Sequence, residues 1–191
     1  MQFFTLGSFV DVKVIENKIF SDDRGFFLES YNKRNFQYDL KINEDFVQDN
    51  HSKSQKGVIR GLHFQKKPFA QSKLVRVTRG SILDVVVDLR KNSITFGQWE
   101  SLVLSEKNSL MLFIPEGFAH GFLATEDNTD VLYKTNNFYN PDCDVTLLWN
   151  DTNLNINWKL NHYNISNPII SKKDKSAYSL KELEQKKQLF F

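Results

Sequence analysis

A histidine, an arginine and a lysine grouped in one strand-like stretch are the residues of this chain best suited to chemistry. Residues 57–65 run Gly57-Val-Ile-Arg-Gly-Leu-His-Phe-Gln65, and Lys73 follows ten residues after His63. A second histidine, His120, lies within Pro115-Glu-Gly-Phe-Ala-His-Gly-Phe122. Histidine is the side chain poised to move protons near neutral pH, and arginine and lysine hold phosphate groups or oxyanions. Together they point to proton transfer on a small anionic ligand.

Composition limits what can surround these residues. At 191 residues, with 40% apolar and 14% aromatic side chains, the chain fits one domain over 1–191 with a substantial packed core. The formal charge is +2, from 25 Lys and Arg against 23 Asp and Glu, so no global field argues for nucleic acid. A single cysteine, Cys143, cannot form an internal disulfide, which fits a reducing compartment. The apolar N-terminus lacks a basic leader, and no apolar run approaches the roughly twenty residues that span a membrane, so a cytoplasmic protein without membrane association is expected.

The elements that must position the site are mostly strands. Residues 9–15 alternate apolar and polar, and Asp22-Asp-Arg-Gly25 is a turn signal before a strand at 26–31. Residues 33–39 suit a short helix. Two β-branched runs, 73–78 and 82–89, flank Gly80 and suggest a hairpin, and the second is apolar enough to be covered on both faces. Further strands are expected at 96–104, 109–114, 121–124, 130–135 and 145–149, with helical periodicity at 180–189. Many short strands indicate a β-sandwich or barrel. Strict alternation would put Arg60 and His63 on opposite faces, so both reach one cavity only if Gly61 marks a bulge.

An ordered set of motifs extends these observations. Asp23-Arg-Gly25 with Glu29, Gln48-Asp-Asn50, residues 57–65, Ala70-Gln-Ser-Lys73, residues 80–88, Thr95-Phe-Gly97, residues 115–122, Tyr133-Lys134, Tyr139-Asn-Pro141 and Ser171-Lys-Lys-Asp174 run in sequence along the chain. Together they resemble the dTDP-4-dehydrorhamnose 3,5-epimerase family from about residue 5 to 180. That family belongs to the cupins, so the resemblance implies an all-β jelly-roll sandwich with a few short, mainly C-terminal helices, and a homodimer. Many cupins bind a metal through His-x-His, a following Glu and a final His. Here Gln65 replaces the second histidine and no Glu lies between Phe64 and Gln71, which leaves two imidazoles where three or four ligands are normal. No metal or other cofactor is expected.

The resemblance also implies roles. His63 would be the base, with Asp174 fixing its tautomer; Lys73 would stabilise the enolate of a 4-keto sugar, and Tyr133 would be the acid on the far face. Arg24 and Arg60 would grip the diphosphate of a dTDP-4-keto-6-deoxyhexose, and Glu29, Gln48 and Asn50 would surround the thymidine. Tyr139 could stack on a base or sugar, and His120 would contact the sugar. Asp144, where a longer Glu is common, and Lys173 match further ligand-contact positions.

Each residue also has a structural reading. Tyr133 in an apolar strand suits the core, and Arg24 after two aspartates suits a surface ion pair. Asp84 and Asp88 could be site residues or could pair with Arg76 or Arg90. His51 and His162 are read as structural. The pairs Phe3-Phe4 and Phe26-Phe27 suit core or dimer interface, and the tail from 181 has no assigned role. Two functional alternatives stay open: an epimerase acting at one carbon of a related nucleotide sugar, and a catalytically idle cupin that only binds nucleotide sugars.

Overall fold

The computed structural model describes residues 2–190. In chain order the elements are β1 (Gln2–Leu6), β2 (Phe9–Glu16), β3 (Ile19–Asp22), β4 (Gly25–Leu28), α1 (Lys33–Tyr38), β5 (Gln48–Ser54), β6 (Val58–Gln65), β7 (Lys73–Arg79), β8 (Ser81–Asp88), β9 (Trp99–Ser105), β10 (Met111–Ile114), β11 (Phe118–Ala124), β12 (Thr129–Thr135), β13 (Asp144–Thr146), β14 (Ile169–Ile170), α2 (Lys172–Lys175) and α3 (Leu180–Gln185). One sheet has the order β1-β2-β10-β7-β12-β5. The other runs β13-β6-β11-β8-β9, with β14 also paired to β6, and β3-β4 form a separate hairpin. Two facing sheets of this kind make the expected jelly-roll sandwich.

Three apolar layers follow from the period-two alternation of the strands. Between the sheets, Val75, Val77, Leu112, Ile114 and Val131 of one meet Ile82, Val86, Phe118 and Phe122 of the other. The outer face of the second sheet buries Ile59, Leu62, Phe64, Leu83, Val85 and Val87 under Leu154, Trp158, Ile165 and Leu183. This double coverage explains why β8 is apolar almost throughout and buried at every position. The outer face of the first sheet packs Leu74, Met111 and Phe113 against Phe36 of α1, a helix capped by the Asn32 side chain.

The hairpin expected from residues 73–78 and 82–89 does not form. Strand β7 pairs with β10 and β12, whereas β8 pairs with β9 and β11 in the opposite sheet. Only Gly80 separates the two strands, which is shorter than a two-residue hairpin loop. At φ +74° the glycine instead turns the chain across the edge of the sandwich, and an added Cβ there would meet Thr129 Oγ1 at 2.4 Å. The inner faces of β7 and β8 therefore look at each other.

The C-terminal tail docks. Leu189 and Phe190 are buried, and the Phe190 ring lies 5.7 Å from that of Phe64. Phe191 lies outside the described residues. By contrast Phe3, Phe4, Phe26 and Phe27 are exposed, so the core reading of those pairs fails. Among the described residues, no helix is long and apolar enough to cross a membrane.

Candidate functional site

Strand β6 carries the bulge that the spacing of Arg60 and His63 requires. His63 pairs with His120 and Arg60 with Phe122, so Gly61 and Leu62 together face Gly121 alone. Gly61 holds φ +131°, and a Cβ on it would stand 2.6 Å from the Gly121 Cα, so only glycine fits. The Gly61-Leu62 peptide is cis. The extra residue resets the alternation: Ile59, Leu62 and Phe64 face the outer layer, while Arg60 and His63 line the same interior cavity.

That cavity has a volume of about 560 Å³. From the β6 sheet come Arg60, His63, His120 and Asp144; from the facing sheet come Lys73 and Tyr133; the loop after β12 adds Tyr139, and α2 adds Lys173 and Asp174. Nine of the thirteen residues expected at the site thus share one cavity. His63 and Tyr133 approach it from opposite sheets. A cavity of similar size, about 590 Å³, lies beside Arg90, but that guanidinium is already paired with Asp88 and Asp11.

Electrostatics divide the cavity into distinct positions. The His63 Nε2 group lies 2.7 Å from Asp174 Oδ1, an N–H donating to a carboxylate, which leaves the lone pair of the neutral ring on Nδ1. Asp174 is buried at the start of α2, with its own N–H on the Ser171 hydroxyl at 3.0 Å. Burial works to raise this carboxyl, but the bonds from His63, the Gly61 N–H and Ser171 outweigh it and hold it below the usual carboxylate range. Lys73 is buried and donates to the His63 carbonyl at 3.1 Å; desolvation pushes its ammonium down to about 8 against the pull of Asp84 and Asp144. Burial raises the Tyr133 phenol, and the nearby Arg60 guanidinium draws it back in part.

At the mouth, Asp144 accepts from the Tyr139 hydroxyl at 3.1 Å and from the Lys173 ammonium. Arg60 is steadied by the Ser54 hydroxyl at 3.0 Å and the Lys53 carbonyl at 3.1 Å. Four expected residues do not line the cavity. Arg24, 89% exposed at the β3-β4 turn, pairs with its neighbour Asp22, as the surface reading anticipates. Glu29 accepts from the Asn32 and Asn35 side chains. Gln48 donates to Asn50 at 3.0 Å and accepts from the Tyr139 N–H at 2.9 Å, so this pair braces the rim.

Some roles become visible only in the fold. Gln65, at the position of a cupin metal ligand, is fully engaged: it donates to the carbonyls of Phe69 (2.6 Å) and Phe138 (3.1 Å) and accepts from the Asn140 N–H (2.6 Å). It ties the loop carrying Tyr139 to β6. Among the described residues, no three His, Cys, Asp or Glu side chains are grouped as metal ligands. Asp88 pairs with Arg90, but Asp84 pairs with neither Arg76 nor Arg90; it accepts from His120 Nε2 at 2.8 Å. The signal for Asp84 lay in the sequence, as the one charge inside an otherwise apolar run at 82–87. Ser52 and Gln71 also line the cavity and were not anticipated.

Known proteins share this sequence and this fold. The family model for dTDP-4-dehydrorhamnose 3,5-epimerase matches residues 7–182. The dTDP-4-dehydrorhamnose 3,5-epimerase of Escherichia coli (strain K12) is 48% identical over 173 residues, covering 91% of each chain. A solved structure of dTDP-6-deoxy-D-glucose-3,5-epimerase from Legionella pneumophila, in complex with dTDP-4-keto-L-rhamnose, superposes with a TM-score of 0.92 at 40% identity over 99% of this chain and 97% of that one. A structure of the epimerase from Bacillus anthracis with TDP and pyrophosphate bound gives a TM-score of 0.85 at 48% identity, covering 91% and 96%.

Proposed function

The chain belongs to the dTDP-4-dehydrorhamnose 3,5-epimerase family, and on that premise we propose that it converts dTDP-4-dehydro-6-deoxy-D-glucose to dTDP-4-dehydro-L-rhamnose by inverting carbons 3 and 5. The observation that carries the reading is the placement of His63 and Tyr133 on facing sheets with Lys73 between the same walls. Inversion removes a proton from one face of a ring and returns one to the other, so base and acid must stand on opposite sides.

The steps follow from the groups present. The hydrogens flanking the 4-ketone are acidic because the electrons left behind delocalise onto its oxygen. His63 takes such a proton at Nδ1, and the low-lying carboxylate of Asp174 stabilises the imidazolium. The enolate oxygen is met by the Lys73 ammonium, fixed in place by the His63 carbonyl. The Tyr133 phenol, kept protonated by burial, delivers a proton from the far side, and Arg60 offsets the phenolate that forms. Arg60 also faces the diphosphate, while Tyr139, Asp144, Lys173 and His120 hold the remaining ligand.

A homodimer accounts for the outlying residues. The β3-β4 hairpin presents Phe20, Phe26 and Phe27 to solvent, an apolar surface of the kind that marks an interface. Arg24 and Glu29 lie on or beside it, so they would serve a site in a second copy rather than their own.

Incubation with the 4-keto substrate in deuterated water tests the activity. Label at both carbons 3 and 5 is expected. Label at one carbon identifies a single-site epimerase, and no label reduces the protein to a nucleotide-sugar binder.

A further inference from the structure

We propose that Asp84 is a positioning residue for the epimerisation: its carboxylate, held behind His120, is the counter-charge that keeps Lys73 an ammonium inside the cavity. The inference rests on the reading of Lys73 as the cation beside the enolate.

Geometry singles out Asp84 for this role. Lys73 is 8% exposed, and its Nζ makes one hydrogen bond, to a backbone carbonyl, and no ion pair among the described residues. A buried ammonium so placed needs a nearby negative charge to persist. The carboxylates acting on it are Asp84 from β8 and Asp144 from β13, opposed by the Lys173 ammonium from α2. His63, His120, Tyr133, Tyr139, Arg60 and the Asp174 carboxylate, which is bound to His63, complete the ionisable lining of the cavity. Asp144 is already committed to Lys173 and Tyr139 through Oδ2.

Asp84 is not committed in this way. It is fully buried between Ile82 and Val86 of the inter-sheet core, and it spends only Oδ2, on His120. Its Oδ1 is buried with no hydrogen-bond partner. An orphaned buried oxygen is costly in a core, and a neighbouring cation is what compensates it. The His120 N–H holds the other oxygen, so the negative charge is fixed in position. Desolvation raises the Asp84 carboxyl, and His120 and Lys73 both pull it back toward the ionised form.

The sign of the pH effect follows directly. Lys73 must be protonated to stabilise the enolate, so kcat falls as pH rises through its pKa, about 8 in the intact cavity. Asp84→Asn removes a charge that raises that pKa, so the alkaline limb moves to lower pH. A shift of about one unit lowers kcat about tenfold above the limb and leaves it nearly unchanged well below it. In a Lys73→Arg background the guanidinium stays charged without help, so the same Asp84→Asn change costs little. An unmoved limb with equal losses in both backgrounds overturns the proposal, because Asp84 would then act only on His120 or on folding.

A measurement on the unaltered protein covers the case in which Asp84→Asn does not fold. Carbon-13 NMR of the Asp84 carboxyl and the Lys73 side chain should show an ionised carboxylate and an ammonium at pH 7. A protonated Asp84 at that pH overturns the proposal. Undiminished turnover in Lys73→Met would instead sink the enolate role of Lys73, and the NMR titration would still report the charge pairing independently.

Discussion

His63 and His120 stand opposite each other on neighbouring strands, and each directs Nε2 at a buried aspartate, 2.7 Å to Asp174 and 2.8 Å to Asp84. The pairs look alike but are held differently. The His63 side chain is 33% exposed on the cavity wall, and Asp174 reaches it from a short helix 111 residues away, its second oxygen accepting from the Gly61 N–H and its own N–H held by the Ser171 hydroxyl. His120 is 8% exposed, and its partner lies on the adjacent strand within the core, with one oxygen left over. An accessible ring with a satisfied carboxylate can take and release protons with little rearrangement. A buried ring with a half-satisfied carboxylate is better suited to holding charge still. Burial and partner count, more than the His–Asp contact itself, separate the two jobs.

Substitutions should split the pairs along that line. His63→Ala is expected to lower kcat by about 10²–10⁴-fold and to stop solvent-deuterium incorporation at both carbons. Because the ring sits on the wall rather than in the core, the melting temperature should barely change; a protein that keeps near-normal turnover removes His63 as the base. His120→Ala should weaken substrate binding and, unlike His63→Ala, also cost stability, since it strands a buried carboxylate. A loss of about 3 kcal/mol is expected, which lowers Tm by about 6–12 °C in a chain of this size. Equal thermal stability of the two variants would erase the contrast.

Smaller effects sharpen it. Gly61→Ala places a Cβ against the Gly121 backbone at a positive φ and should cost about 1–3 kcal/mol in denaturant unfolding. Turnover should fall with it, because both histidines flank the distorted bulge; full stability would mean that β6 tolerates another register. Tyr139→Phe removes one hydrogen bond to Asp144 at the rim, and KM is expected to rise about 2- to 10-fold with kcat preserved. A drop in kcat alone would place Tyr139 nearer the reacting carbons than its position suggests.

Much of this was readable along the chain. The period-two pattern of residues 9–15 and 130–135 anticipates β2 and β12, because alternation is a local consequence of pleating. The demand for an irregularity at Gly61 came from parity alone, and the β6–β11 register meets it. The failure at residues 73–89 is equally physical. Two strands beside a glycine form a hairpin or a corner depending on which neighbours they find, and those neighbours lie 30 (Asp88 to Phe118) to 62 (Lys73 to Thr135) residues away in β10, β11 and β12. Asp84 illustrates the same limit. A lone acid in an apolar run announces a buried partner, but whether that partner is Arg76, Arg90 or His120 is set by the packing of strands.

Covalent order fixes the residue types of the site, their spacing, and the lack of a full metal-ligand set around Gln65. The tertiary structure decided which of them meet. Arg60, His63 and His120 converge with Lys73, Tyr133 and Asp174 because two sheets and one helix start close around a single cavity. Arg24 and Glu29 stay outside it because their hairpin leaves the sandwich. Contacts between groups a hundred residues apart depend on the packing of whole elements, and no local pattern carries that information.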